Sequence, residues 1–439
     1  MLNKLKTYIA KHKLLGNGKY IVALSGGADS VCLLRVMLSM GYNVEAAHCN
    51  FRLRGDESNR DEEFCTSLCA RLDVPLHKVH FDTREYASLH KVSIEMAARE
   101  LRYAYFEQLR LAIGADGIVV AHHSDDNVET ILLNLVRGTG IYGLEGIKPR
   151  NGFILRPLLC LSKNEILDYL SSVNQDFITD SSNLVDDVQR NKIRLNLMPI
   201  LRSVNPSVSE NILTTAENIS QAARVYSHAI NESVNECFDG KALDITKLLQ
   251  QPSPEAVLYE VLKTFDFSSG TVRQIFDNLS APSGKTWSND TYTVAMDRGT
   301  LFIGKSYSET PPLVIPEEGL YRIAGDVSNI KVEVAPLTAE TIISKEPFIA
   351  TLDADKVAFP LTLRLVQTGD RFVPFGMKGS KLISDYLTDK KKNYFQRKAQ
   401  LVVADAIDKI VWLIGERVSA EASVGPDTIK VLTLRYSKE

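Results

Sequence analysis

Tyr20-Ile21-Val22-Ala23-Leu24-Ser25-Gly26-Gly27-Ala28-Asp29-Ser30 is an apolar run that breaks at a serine and two glycines, then resumes as a helical stripe through Val31, Leu34, Val36, Met37 and Leu38. A short apolar run ended by a turn signal reads as a buried parallel strand, and the stripe behind it as the crossover helix. A strand–glycine–helix junction turns backbone N–H groups toward one point, where they suit an anion. Gly26 and Gly27 let that anion approach with no Cβ in the way, and Ser25 and Ser30 add hydroxyl donors. Asp29 repels phosphate unless a cation bridges the two, so Ser25, Gly26, Gly27, Ala28, Asp29 and Ser30 are expected to bind ATP, with Mg²⁺ at Asp29. The lysine of a Walker A loop is absent. Two glycines alone indicate only a tight connection; the serines and the aspartate favour ATP.

Outward from the loop the alternation continues. Residues 44–48, 74–81 and 117–122 read as further strands, and 94–113 and 126–136 as helices. This predicts an α/β domain over residues 1–214, an open parallel sheet with helices on both faces, of PP-loop or Rossmann-like type. Ligands in such sheets sit beyond the carboxyl ends of the strands, where Ser25, His48 and His122 fall. Residues 215–310 are expected to form a mainly helical domain, although 292–303 is β-like. Ser308-Glu309-Thr310-Pro311-Pro312 begins a linker, and 345–439 reads as a small α+β domain. Gly138-Thr139-Gly140-Ile141-Tyr142-Gly143 matches the dinucleotide glycine pattern, but it follows a helix instead of a strand, so a flexible loop over the active site is expected there.

A hydrophobic content of 44% and a net charge of −3 describe a globular chain with no overall bias toward polyanions or membranes. No apolar stretch approaches the roughly 20 residues of a bilayer span. With no signal-peptide core before Lys11, a cytoplasmic protein without a membrane partner is expected. The six scattered cysteines fit a reducing compartment, and Cys65 and Cys69 read as buried thiols sharing a helix face. His48, His122 and His123 invite a metal-hydrolase reading, but zinc needs three or four converging ligands, and a strand would put His122 and His123 on opposite faces.

The loop resembles the PP-loop of the N-type ATP pyrophosphatases, which cleave ATP between the α- and β-phosphates and adenylate their substrate. Further stretches, in chain order, are similar to the tRNA(Ile)-lysidine synthetases. They include His48-Cys49-Asn50-Phe51-Arg52-Leu53-Arg54-Gly55 and Glu95-Met96-Ala97-Ala98-Arg99-Glu100-Leu101-Arg102-Tyr103. Ala121-His122-His123-Ser124-Asp125-Asp126-Asn127-Val128-Glu129-Thr130 follows, with Asn127 where the family has Gln. Arg137-Gly138-Thr139-Gly140 to Gly146, Arg156-Pro157-Leu158-Leu159, Asp180-Ser181-Ser182-Asn183 and Arg190-Asn191-Lys192-Ile193-Arg194 come next, and the resemblance resumes at Thr368-Gly369-Asp370-Arg371-Phe372 through Gly415-Glu416-Arg417. The resemblance implies ligation of free L-lysine to the wobble cytidine of an isoleucine tRNA with a CAU anticodon, through an adenylated cytidine. It implies lysine binding or catalysis at Asp126, Glu129 and Arg99, with one of the acids as a possible metal ligand. The plainer reading of the two acids is a helix N-terminus complementing its dipole.

Arg190 and Arg194 are expected at tRNA, although each arginine of this region also suits an ordinary ion pair. In the C-terminal part, Arg371, Lys381 and Lys391 stand in a basic stretch interleaved with Tyr386, Tyr394 and Phe395, which suits RNA backbone and bases. Two alternatives share the loop: a PP-loop tRNA thiolase, which would need a reactive cysteine set, and a non-catalytic tRNA-binding protein that senses ATP.

Overall fold

The computed structural model describes residues 1–179, 189–306, 311–323 and 328–438. The chain divides into two compact units, Met1–Tyr226 and Ser227–Glu439.

In the first unit β1 (Lys19–Ala23), β2 (Asn43–Asn50), β3 (Leu76–His80), β4 (Gly117–Val119), β5 (Arg150–Asn151) and β6 (Ile154–Leu155) form one sheet in the order β3-β2-β1-β4-β6-β5. All pairings are parallel except β5 with β6. The chain steps outward from β1 to β3 and returns to β4 on the other side of β1. That reversal opens a crevice beyond the carboxyl ends of β1 and β4.

The helices are α1 (Leu2–Lys11), α2 (Ala28–Ser39), α3 (Asp56–Leu72), α4 (Thr83–His90), α5 (Ile94–Ala112), α6 (Ser124–Val136) and α7 (Lys163–Ser172). They cover both faces, which is why β1 is apolar from Tyr20 to Ala23. Tyr20, Val22 and Leu24 pack with Val31 and Leu34 of α2, Leu68 of α3 and Leu170 of α7. Ile21 points the other way, onto Phe106 and Leu109 of α5. Beyond α7 come α8 (Gln189–Lys192), a π-helical turn (Ile193–Leu197), α9 (Met198–Val204) and the long α10 (Val208–Cys237). Ile193 and Met198 pack on Val128 of α6.

β4 stops three residues short of the expected end at 122. The cause is the start of α6. His123 is its N-cap, and the Asp126 carboxylate accepts the His123 N–H at 2.9 Å, so this backbone serves the helix start instead of the sheet. His122 and His123 therefore lie in a connection, and the alternation argument that would separate them does not apply.

In the second unit, strands Ala242–Asp244, Thr286–Ser288, Tyr292–Asp297 and Thr300–Lys305 form an antiparallel sheet beside helices Ile245–Leu249, Pro254–Lys263 and Ser269–Asp277. Arg298 and Gly299, both at positive φ, make the tight hairpin turn between the last two strands. A five-stranded and a four-stranded sheet follow, sharing a core around Trp412, Leu363, Val403 and Leu432. Leu313–Ile315 pairs with Leu361–Leu365, and Ser328–Pro336 with Lys430–Lys438, so these strands belong to the C-terminal sheets although they precede residue 345. Leu313–Ile315 is an edge strand just after Pro311-Pro312, the kind of strand that reads as linker in sequence. Among the described residues no helix is long and apolar enough to cross a membrane.

Candidate active site at the phosphate loop

The loop between β1 and α2 is held open by its own side chains. Ser30 Oγ accepts from Ser25 N at 3.1 Å and donates to the Gly27 carbonyl at 3.0 Å. Gly26 sits at φ +89°, and its carbonyl accepts the Ile178 N–H at 2.9 Å, so residues after α7 brace the loop. A Cβ on Gly26 would stand 3.0 Å from Ile178 Cδ1 and 3.3 Å from Cys65 Sγ. Gly26→Ala is therefore expected to cost about 1–2 kcal/mol of stability and to weaken ATP binding roughly tenfold, about 1.4 kcal/mol. Thermal unfolding and calorimetric titration with ATP check both.

Asp29 opens α2 and faces a lysine that the loop sequence does not contain. Lys163 Nζ lies 2.6 Å from Asp29 Oδ1. A capping box between Ser162 and Glu165 starts α7, and the Lys163 backbone N–H is anchored to Asp125 Oδ2 at 2.8 Å. This lysine is 134 residues from Asp29, so only the fold reveals it. The buried His123 imidazole joins the loop to α6: its Nε2 is 3.8 Å from Asp29 and 3.5 Å from Asp126 Oδ2.

Asp126 and Glu129 do share one face of α6, and Arg190 and Arg194 close over it. Arg190 Nε donates to Glu129 at 2.8 Å and its Nη2 to Asp126 Oδ1 at 3.1 Å. Arg194 donates to the two Glu129 oxygens at 2.6 and 2.9 Å. Glu129 is 3% exposed, whereas the arginine side chains are 37% and 36% exposed. Burial raises the Asp126 pKa, but His123 and Arg190 outweigh it and hold the carboxyl below its usual range. Arg99 is exposed, its guanidinium 5.1 Å from the Tyr103 ring centre, and among the described residues no hydrogen bond joins it to Asp126 or Glu129.

A different arginine lines the crevice. Arg156 Nε contacts His122 Nδ1 at 3.1 Å, and burial pushes the His122 pKa down to about 4, which leaves a neutral imidazole at pH 7. The glycine-rich stretch after α6 is a short 3₁₀ turn, Ile141–Glu145, pinned to that helix. Asn127 Oδ1 accepts from Ile147 N at 2.6 Å, and Asn134 Nδ2 donates to the Gly143 carbonyl at 2.8 Å. His48 is structural, its buried ring bonded to the Leu24 carbonyl at 2.9 Å. Much of the N-terminal basic excess is engaged in ion pairs, Lys4 with Glu165, Lys11 with Glu217, Lys19 with Glu45, and Arg54 with Asp61. The Asp180-Ser181-Ser182-Asn183 stretch lies outside the described residues.

In the second unit Arg371 is exposed and bonded to Ser380, Lys381 is paired with Asp389, and the Lys391 carbonyl accepts from Arg298 at 2.9 Å. Arg397 reaches Asp297 at 3.3 Å and Lys392 reaches Glu416 at 2.6 Å, so part of the basic stretch holds the fold together.

Residues 1–201 match the family described as the PP-loop domain, and residues 238–306 that described as the TilS substrate binding domain. A tRNA(Ile)-lysidine synthase of Bacteroides thetaiotaomicron is 44% identical over 97% of this chain and 97% of its own. One from Parabacteroides distasonis is 43% identical over 99% of this chain and 100% of its own. One from Dehalococcoides mccartyi is 30% identical over 99% of each chain. The pairing of a phosphate loop with an acidic α6 and the full-length similarity lead to one assignment: the chain belongs to the tRNA(Ile)-lysidine synthase family.

Proposed function

We propose that this enzyme joins free L-lysine to C2 of the wobble cytidine in a CAU-anticodon isoleucine tRNA, using ATP. The observation that carries the proposal is the His123 imidazole lying against both Asp29 of the phosphate loop and Asp126 of the acidic pair, so that two half-reactions fit within one crevice. In the first, cytidine O2 bonds to the α-phosphorus and the bond to the bridging oxygen of pyrophosphate breaks. The loop N–H groups and Lys163 bind the departing charge. In the second, the lysine ε-amine bonds to C2, the C2–O2 bond breaks, and AMP leaves carrying O2. Asp126 and Glu129 hold the amine as an ammonium ion on arrival, and a proton must leave it before attack.

Asp29 suits Mg²⁺. A carboxylate at a helix start beside the phosphate loop, here with one oxygen paired to Lys163, is a usual protein share of such a site, the rest coming from phosphates and water. A bound Mg²⁺ would offset charge on the leaving pyrophosphate. The cysteines speak against sulfur transfer, because burial pushes the Cys32 and Cys65 thiols up to about 12. Free lysine, ATP and tRNA as substrates suit a cytoplasmic enzyme without a membrane partner.

Incubation with ATP, Mg²⁺, ¹⁴C-lysine and the CAU-anticodon tRNA is expected to leave label on the RNA, with AMP and pyrophosphate in equal amounts. An absence of lysine-dependent label and of pyrophosphate refutes the proposal. The C-terminal part supplies phosphate contacts from Arg371, Lys381 and Lys391. Removing both Arg371 and Lys391 (R371A with K391A) is expected to weaken tRNA binding and to lower the salt slope by about two counterion terms. ATP binding should not change. Filter binding across a salt series reads the slope, and an unaltered slope removes these residues from the interface.

A further inference from the structure

Along the seam between α6 and the segment from α8 to α9 lies a cavity of about 580 Å³ that the chemistry above does not use. Its walls are Leu133, Val136, Ile193, Leu197 and Ile200. Val136 and Ile200 are 74% and 61% exposed at its mouth, which is a large apolar exposure for two neighbouring elements. Arg137 and Lys192 stand on the rim, and among the described residues neither forms an ion pair and no carboxylate lines the cavity. Gln189 Oε1 accepts from Arg137 Nη2 at 2.8 Å, which steadies the guanidinium at the edge.

The position is as informative as the lining. Asp126, Glu129, Leu133 and Val136 follow one another at helical spacing on one face of α6. Leu133 is four residues beyond Glu129, about 6 Å along the axis. The segment that supplies Arg190 and Arg194 to the acidic pair supplies Ile193, Leu197 and Ile200 to the cavity. The cavity thus continues the crevice in which the target base reacts.

We propose that this cavity receives an unpaired nucleobase next to the target cytidine in the RNA strand, with its phosphate between Arg137 and Lys192. The proposal rests on the ligase reading. A base presented to an enzyme must leave its stack, and its neighbours in a single-stranded loop lose their partners with it. Aliphatic walls on both sides accept a base face, and two rim cations with no opposing acid among the described residues suit a phosphodiester. The volume lies in the range of sites that enclose small planar ligands.

The test uses the full-length protein and an anticodon stem-loop RNA carrying 2-aminopurine on either side of the target cytidine. Val136→Glu with Ile200→Glu places two carboxylates at the mouth, both at exposed positions, and thermal unfolding verifies that the variant is folded. With wild-type protein the fluorescence is expected to rise at one flanking position, and the double variant should abolish that rise. The double variant should also raise KM for the RNA at least tenfold, leaving kcat at saturating RNA and ATP affinity unchanged. Fluorescence unchanged at both positions, or an unaltered KM, overturns the proposal. Sedimentation covers the other occupant: a wild-type dimer that the double variant dissociates, with KM for RNA unaltered, would assign the cavity to a second copy of the chain. If wild-type protein makes no lysidine, the ligase reading fails while the fluorescence still reports on the cavity.

Discussion

Replacing Lys163 by methionine is expected to slow pyrophosphate release by about 10²–10³, equivalent to about 3–4 kcal/mol of transition-state stabilisation. The side chain keeps the length of the aliphatic stem and loses its charge. The Lys163 ammonium rests on Asp29 at 2.6 Å, at the edge of the phosphate loop. A charge already gathered at the loop costs little to redirect when negative charge builds on the leaving group. Because both groups are about one-third exposed, the ion pair itself adds little to stability, so the variant should unfold within a degree or two of the parent. Lys163→Arg should recover part of the rate. Pyrophosphate release measured without lysine isolates this step, and a rate within twofold of wild type removes Lys163 from catalysis.

What the sequence discloses is what neighbouring residues decide. The strand, the two glycines and Asp29 are consecutive, so the loop and its anion preference are readable in one line. The i, i+3 spacing of Asp126 and Glu129 likewise places both on one face of α6, as found. The brace at Ile178, the lysine at 163 and the Arg156–His122 contact are not readable that way, because each partner arrives from a different crossover. A sharper reading of Ser162-Lys163-Asn164-Glu165 as a capping box would have put a lysine at a helix start, yet not at this loop. The end of β4 misleads for a related reason: Ala121-His122-His123 has strand-like neighbours, but Asp126 folds back on His123 and begins the helix early. Arg190 and Arg194 look like surface cations until the fold sets them on a buried glutamate.

That glutamate carries the other large effect. Glu129→Gln is expected to reduce transfer of lysine to the RNA by at least about 10³, the scale for a charge aimed at a reacting group, while pyrophosphate release falls no more than about tenfold. Glutamine fills the same space but offers one acceptor oxygen, and its amide N–H₂ would face guanidinium donors that now bond both carboxylate oxygens. The two arginines nearly balance Asp126 and Glu129, so an arriving ammonium has to share these carboxylates with them. Removing one of the two negative charges leaves the cluster net positive and repels that ammonium outright. Adenylation, which in the proposed mechanism draws on Asp29, Lys163 and the loop, is expected to keep its own charges. Because the arginine side chains are more than a third exposed, the unpaired guanidinium charge is partly screened, and the loss of stability should stay well below the ~3–5 kcal/mol of a fully buried pair. Glu129→Asp should not restore transfer, since the shorter chain draws the carboxylate back from both arginines. Equal loss of pyrophosphate release and lysine transfer would instead mean that Glu129 serves to hold Arg190 and Arg194 against the nucleotide, and would leave the ammonium to Asp126.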